Sequence, residues 1–366
     1  MKTKFFIFFF ILFVQSVFSQ EKFSDRISFA INGRYGFLIP HRSSMVYLIE
    51  DHVKAWDIAV SYRTKGDKPW QIIYRVPELG LAFYRANLGN ANYLGTSTAA
   101  YAFIKIPIVK DKFFNLSYSM GEGLAILSKP FNTESNIYNI AIGSRANGFI
   151  DFCLFSEINI LNKLQFVTGF NFTHYSNGAW RKPNLGFNIP SIKAGLKYTL
   201  SKSPEIDKTK IKEIKALFVR KNEFSITLSK GVRENPPPNG VKFHPTTICI
   251  NAERLYNPKR KFGTGLDVFY DPSLESRIIS DSLKFKPIYN LRSGVHLSYD
   301  LLFNRISFTM QTGVYFFTKA KDDGLIYSRF GIRAKVWKNI TASLTLKTHF
   351  VKADVLEWGI GYSFLK

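Results

Sequence analysis

His174-Tyr175-Ser176 puts an imidazole and a hydroxyl two residues apart. On a β-strand such a pair shares one face. That brings a histidine within reach of a serine proton, the minimum a serine nucleophile and its base require. Asn184 and Asn188 have the same even parity, beyond a short polar stretch over 177–187. The remaining candidates carry less chemistry. His41, His52, His244 and His296 show no metal-ligand spacing, and Thr348-His349-Phe350 is followed by Val351 where a serine would be needed. Cys153 and Cys249 cannot make a disulfide framework, and neither has a partner motif for thiol chemistry. No metal and no organic cofactor is expected.

The segment that carries the pair reads as a strand. From Lys163 onward the even positions are mostly apolar (Leu164, Phe166, Phe170, Phe172), and the odd ones include Gln165, Gly169, Asn171 and Thr173. The same period of two starts at Ile27, Phe29 and Ile31. It predicts further strands over 54–63, 69–86 (interrupted at Pro77), 97–108, 112–127, 139–160, 163–176 and 188–200. In the second half it predicts 222–233, 242–255, 260–270, 288–301, 304–317, 326–337, 339–350 and 353–364. Many of these segments exceed the usual globular strand and suit a tilted membrane strand. In the last, Trp358, Ile360, Tyr362 and Phe364 alternate with Gly359, Gly361 and Ser363, one face lipid-like and the other small or polar. A soluble sandwich would also alternate, but strand length and an aromatic content of 16% favour a membrane barrel. The predicted fold is all-β: an antiparallel transmembrane β-barrel of the outer-membrane type. Each part would furnish about eight strands, as two barrels or one larger barrel.

Composition and the N-terminus fix the setting. A hydrophobic content of 46% excludes disorder, and no mature stretch is apolar for the length a spanning helix needs. Lys2 and Lys4, the apolar run Phe5–Val14 and the small residues near Ser19 read as a secretory signal peptide over 1–19. In the cytosol a net charge of +23 would suggest nucleic acid. For an exported chain the matching anion is a phosphorylated lipid surface, and no nucleic-acid partner is expected. Residues 201–221, rich in lysine, read as a charged connector with a turn or two of helix. It separates a first barrel part over 20–200 from a second over 222–366. Gly80-Leu81-Ala82-Phe83-Tyr84 echoes Gly265-Leu266-Asp267-Val268-Phe269-Tyr270, and Ile137-Tyr138-Asn139 echoes Ile288-Tyr289-Asn290, a hint of duplication.

His174-Tyr175-Ser176-Asn177-Gly178, then Pro183-Asn184-Leu185-Gly186 and a returning strand, resembles the outer-membrane lipid A deacylase family (PagL-like, acyloxyacyl hydrolase-related). Ile140-Ala141-Ile142-Gly143-Ser144 and Gly121-Glu122-Gly123-Leu124 are similar to its longer branch. The resemblance covers about residues 25–200, and 222–366 match only the longer chains. It implies serine-esterase chemistry on lipid A, with Ser176 as nucleophile and His174 as base. The oxyanion would be held by Asn184 with a backbone N–H near Asn177 or Gly178. The family's acid falls fourteen residues after the histidine, where this chain has Asn188. An amide can orient a neutral imidazole but gives an imidazolium no full countercharge. Glu122 and Asp151 are the candidates for a replacement acid.

With a periplasmic N-terminus, 163–176 is the seventh strand and runs outward, so His174 and Ser176 lie level with the outer leaflet of a Gram-negative outer membrane. Arg181 and Lys182, in the loop beside them, could meet the anionic headgroup of lipopolysaccharide, and Trp180 the bilayer interface. Two readings follow. One is a lipid A acyl esterase; the other is a non-catalytic, porin-like or structural barrel that has lost the family acid. Which ester is cut, and whether the protein forms a homodimer, are left open.

Overall fold

In hydrocarbon a strand must find hydrogen-bond partners on both edges, so sixteen alternating strands have to close on themselves. The computed structural model describes residues 23–200, 208–238, 240–280, 285–350 and 352–365. The predicted signal peptide and the first part of the connector, 201–207, lie outside the described residues. The first eight strands are β1 (Ile27–Gly36), β2 (Val53–Arg63), β3 (Glu78–Asn87), β4 (Thr96–Lys110), β5 (Phe114–Leu127), β6 (Ala146–Asn159), β7 (Leu164–Ser176) and β8 (Phe187–Thr199). The second eight are β9 (Asn222–Val232), β10 (Thr246–Asn257), β11 (Arg260–Tyr270), β12 (Leu291–Phe303), β13 (Ile306–Phe317), β14 (Ile326–Trp337), β15 (Ile340–His349) and β16 (Lys352–Leu365). They form two closed antiparallel barrels, β1–β8 and β9–β16. The first closes through β1 and β8, the second through β9 and β16. One larger barrel is therefore excluded. The 80–84 and 265–270 echo falls on β3 and β11, the third strand of each barrel.

Burial is inverted relative to a water-soluble sheet. Phe29, Ile31, Phe170, Leu297, Phe316 and Ile360 point outward and are exposed, as the lipid face of a barrel requires. No helix among the described residues is long and apolar enough to cross a membrane. The interiors hold the charges. In the first barrel Lys105 and Lys197 each bridge Glu78 and Glu157 at 2.6–3.0 Å. Nearer the middle, Arg34 bridges Asp57 at 2.6 Å and Asp151 at 2.7 Å. In the second, Arg329 joins Asp267 and Glu357 at 3.1 and 2.9 Å, while Lys261 meets Glu253 at 2.7 Å. These pairs satisfy groups that could not be left alone in a space shut off from bulk water.

Four predicted strands begin three or more residues later than expected: 242–255 starts at Thr246, 288–301 starts at Leu291 after a 3-10 turn over Pro287–Asn290, and two others start later still. The 69–86 segment begins with a short helix, α1 (Pro69–Ile73), because Pro69 opens the turn and the Gln71 side chain accepts the Gly66 and Asp67 N–H groups. Residues 139–145 are not strand: the Asn139 carboxamide accepts the Ala141 and Ile142 N–H groups, which a ladder would need. The connector carries the helix α2 (Lys208–Ala216). The four segments at one end of the first barrel, between β1 and β2, β3 and β4, β5 and β6, and β7 and β8, close over an apolar plug. Met45, Leu48, Leu94, Leu127, Ile142, Phe149, Tyr175 and Ile189 are fully buried there.

Glu157→Ala should leave Lys105 and Lys197 sharing Glu78 alone. Breaking a buried pair in this way typically costs about 3–5 kcal/mol. Equilibrium urea unfolding in lipid vesicles should show the loss, and an unchanged midpoint would mean that water solvates this network.

Candidate active site

The alternation of β7 decides what its end can do. Asn171, Thr173 and Tyr175 point into the barrel and are buried, while Phe170, Phe172, His174 and Ser176 share the outward face. Antiparallel register sets His174 opposite Asn188 of β8. The His174 Nδ1–H donates to Asn188 Oδ1 at 2.7 Å. The other end of that amide, Nδ2, donates to His41 Nδ1 at 3.4 Å. His41 is there because the chain beyond β1 keeps pairing with β8: Phe37 N–H donates to Pro190 O and Ile39 N–H to Asn188 O at 3.2 and 2.9 Å. An acceptor at His41 turns the amide nitrogen away from His174, so the carbonyl faces the imidazole. His174 then carries its proton on Nδ1 and keeps Nε2 free to act as a base.

Ser176 lies between donors. Its Oγ accepts from Asn184 Nδ2 and from Gly178 N–H, both at 3.1 Å, and its proton can reach Asn184 Oδ1 at 3.4 Å. Asn184 Oδ1 also accepts the Asn177 N–H at 3.0 Å, which orients Nδ2 toward the hydroxyl. Asn177 itself points elsewhere: its Nδ2 donates to Ser144 Oγ and Arg181 O at 2.8 Å each. Thus Asn184 and Gly178 converge on the Ser176 hydroxyl, and the Asn177 side chain anchors the loop. Among the described residues Ser176 makes no hydrogen bond to His174. In free enzymes such bonds are often long and tighten only when substrate arrives.

The loop holding these groups is gripped from two sides. From the first barrel, Gly143 N–H donates to Pro183 O at 2.6 Å, and Ala141 O accepts the Leu185 and Gly186 N–H groups at 2.8 and 3.0 Å. A side chain at Gly143 would fall 2.3 Å from Lys182 O, so only glycine allows this approach. From the second barrel, Glu234 N–H donates to Ala179 O at 2.9 Å, and its carboxylate accepts Lys182 N–H at 3.0 Å. Gly178 has a φ of +66° and packs against Leu356 of β16.

The proposed replacement acids do not reach the site. Asp151 points into the barrel, where Arg34, Asn171 and Thr173 bind it. Glu122 is on the outward face in register with Ile150, which is in register with His174, so a whole strand separates it from the histidine. Trp180 is half-buried with Lys242 Nζ 5.5 Å from its ring centroid. Arg181 is exposed and Lys182 half-buried. Burial, reinforced by the nearby charges of Arg233 and Lys352, pushes the Lys182 ammonium down to about 8. His349 is buried against Tyr315 and Arg292 inside the second barrel. Sequence reasoning missed His41 and Glu234. Neither lies in a motif, and each reaches the site only through barrel closure or the contact between barrels.

Two family models match the chain: lipid A 3-O-deacylase (PagL) over residues 55–197, and the acyloxyacyl hydrolase C-terminal domain over residues 222–366. A comparison with curated protein sequences gives no match. Among solved structures, the outer-membrane enzyme PagL matches at 16% identity and a TM-score of 0.32, over 46% of this chain and 98% of that one. CdiB from Acinetobacter baumannii matches at 9% identity and a TM-score of 0.18, over 93% of this chain and 60% of that one. The siderophore receptor PirA from Pseudomonas aeruginosa matches at 9% identity and a TM-score of 0.23, over 89% and 56%. The two family matches follow one another along the chain: the first barrel matches the lipid A 3-O-deacylase (PagL) family, and the second matches the acyloxyacyl hydrolase C-terminal domain.

Proposed function

We propose that this protein is a serine ester hydrolase of the outer membrane that removes an ester-linked acyl chain from lipid A in the outer leaflet. The observation that carries the reading is a hydroxyl on the lipid-facing wall, Ser176, with the Asn184 amide and the Gly178 N–H both aimed at it at 3.1 Å. A polar cluster on such a wall is costly unless it serves the lipid beside it.

In this reading Ser176 Oγ attacks the acyl carbonyl while His174 Nε2 takes its proton. The carbonyl oxygen becomes an oxyanion, which Asn184 Nδ2 and Gly178 N–H stabilise as charge develops on it. The tetrahedral species collapses with transfer of the His174 proton to the sugar alkoxide, which leaves. Water, deprotonated by His174, then attacks the acyl-serine; the fatty acid departs and Ser176 regains its proton. Asn188 holds the imidazole in the productive tautomer throughout, as a neutral dipole rather than a countercharge. Arg181 and Lys182 face the phosphorylated headgroup. A non-catalytic barrel is favoured by Asn188 alone. A porin-like one has little support, because ion pairs and the apolar plug fill the first barrel.

Three measurements test this reading. Lipid A from outer membranes carrying the wild type should lose one acyl mass, and Ser176→Ala should lower the rate by at least about 1,000-fold. Unaltered lipid A with the wild type folded and inserted would sink the proposal. Asn188→Glu should raise kcat about tenfold, about 1.4 kcal/mol of added imidazolium stabilisation; a fall would mean that the site is built around the amide. Gly148 is opposite Ser176 in register, with only Ser176 O within 4 Å of an added Cβ, at 3.2 Å. Gly148→Phe should therefore stand over the hydroxyl and raise KM for lipid A about tenfold or more, with a smaller effect on a short soluble ester. Equal effects on both substrates would count against an acyl path along β6.

A further inference from the structure

The second barrel carries no Ser–His pair, yet it reaches into the loop that connects Ser176 to Asn184. We infer that Glu234 is a positioning residue for the hydrolysis proposed above: it grips the catalytic loop from the second barrel and so holds Asn184 in place.

Glu234 follows β9 and is itself held firmly. On one side Arg233 is ion-paired with Asp271 at 3.1 Å and with Asp354. On the other, Asn235 Nδ2 donates to Ser273 O at 2.8 Å and to Ser276 Oγ at 3.1 Å. Between these anchors Glu234 turns toward the first barrel. Its N–H donates to Ala179 O at 2.9 Å. Its Oε2 accepts Lys182 N–H at 3.0 Å and Lys242 Nζ at 2.7 Å, and its Oε1 accepts Gly240 N–H at 2.7 Å. The carboxylate is only 1% exposed. Burial alone would raise its pKa, but the hydrogen bonds from Lys242, Gly240 and Lys182 hold it below the ordinary carboxylate range. At neutral pH it is a fixed anion, and charge-assisted bonds of this kind are stronger than neutral ones.

The position of the grip gives it meaning. The first barrel ties the loop at Pro183, Leu185 and Gly186, on either side of Asn184. Glu234 ties it at Ala179 and Lys182, between Gly178 and Asn184, the two donors aimed at Ser176. Without the Glu234 carboxylate the stretch between those donors loses its tie at Lys182 and keeps the Asn177–Arg181 and Asn177–Trp180 bonds of its own, the Pro183 bond to Gly143 and the backbone bond at Ala179. The donors would then lose their common geometry, and small losses of alignment are expensive in an oxyanion site. A glutamine could keep its one oxygen on Lys182 N–H and Lys242 Nζ, losing the Gly240 bond and the charge that pairs with Lys242.

The test uses the full chain in detergent micelles, with folding checked by heat-modifiable gel mobility. In Glu234→Ala, hydrogen exchange over 177–186 should quicken about tenfold, and kcat on lipid A should fall about tenfold with KM within about twofold. Glu234→Gln should retain kcat within about threefold of wild type. On an Asn184→Ala background, Glu234→Ala should cost less than about twofold more, because residues acting through one another are not additive. Unchanged exchange in Glu234→Ala overturns the grip. Faster exchange with unchanged kcat, or full additivity with Asn184→Ala, overturns the positioning role. If the wild type itself hydrolyses nothing, the hydrolase reading fails, while faster exchange in the variant still upholds the grip on the loop.

Discussion

Hydrocarbon offers no hydrogen bond, and nearly every feature of this molecule answers that fact. Each set of eight strands closes so that no edge is left open. Side chains follow: apolar residues go to the outside, while charges go to an interior they must fill with their own partners. The catalytic candidates break this rule locally, since His174 and Ser176 share the outer wall with Phe170 and Phe172. A polar group on that wall is costly unless partners are supplied to it, as a loop folding back over a strand end can do. The loop after β7 does that through Asn184 and Gly178.

Two asparagines do much of the work at this site, and they are used in opposite senses. Asn184 presents its nitrogen to Ser176 and its oxygen to the Asn177 N–H. Asn188 presents its oxygen to His174 and its nitrogen to His41. Both ends of each amide are occupied, so neither can flip without losing a bond. A carboxylate in place of Asn188 would need no such orientation, because its two oxygens are equivalent. It would, however, have to be desolvated beside the lipid, which costs far more than desolvating an amide. In the proposed mechanism, a neutral residue at 188 thus matches a low-dielectric wall, with weaker support of the imidazolium as the corresponding loss.

Most of the strands were legible in the sequence because a period of two is a local signal. The parity of His174, Ser176 and Asn188 was legible for the same reason, since β7 and β8 are neighbours joined by a short loop. Segments 69–73 and 139–145 were misread because their apolar residues resemble strand, while single side chains, Gln71 and Asn139, capture the backbone N–H groups instead. The choice between two barrels and one depends on whether β8 pairs with β1 or with β9, which no local pattern reveals. His41 lies 147 residues from Asn188, and Glu234 acts across two barrels. Such partners carry no spacing that a sequence could display.

The long reach of the interior ion pairs has a consequence for how the protein is made. Arg34 meets Asp151 across 117 residues, Lys197 meets Glu78 across 119, and Arg233 meets Asp354 across 121. These contacts span strands far apart in the sheet order, which come together across the interior as the barrel curls and closes. The loop-closure entropy must be met before the contacts return anything. Each barrel therefore completes its interior only at closure, and the second does so when β16 finds β9. Closing the ring of strands and completing the charged interior are, for each half of this chain, a single event.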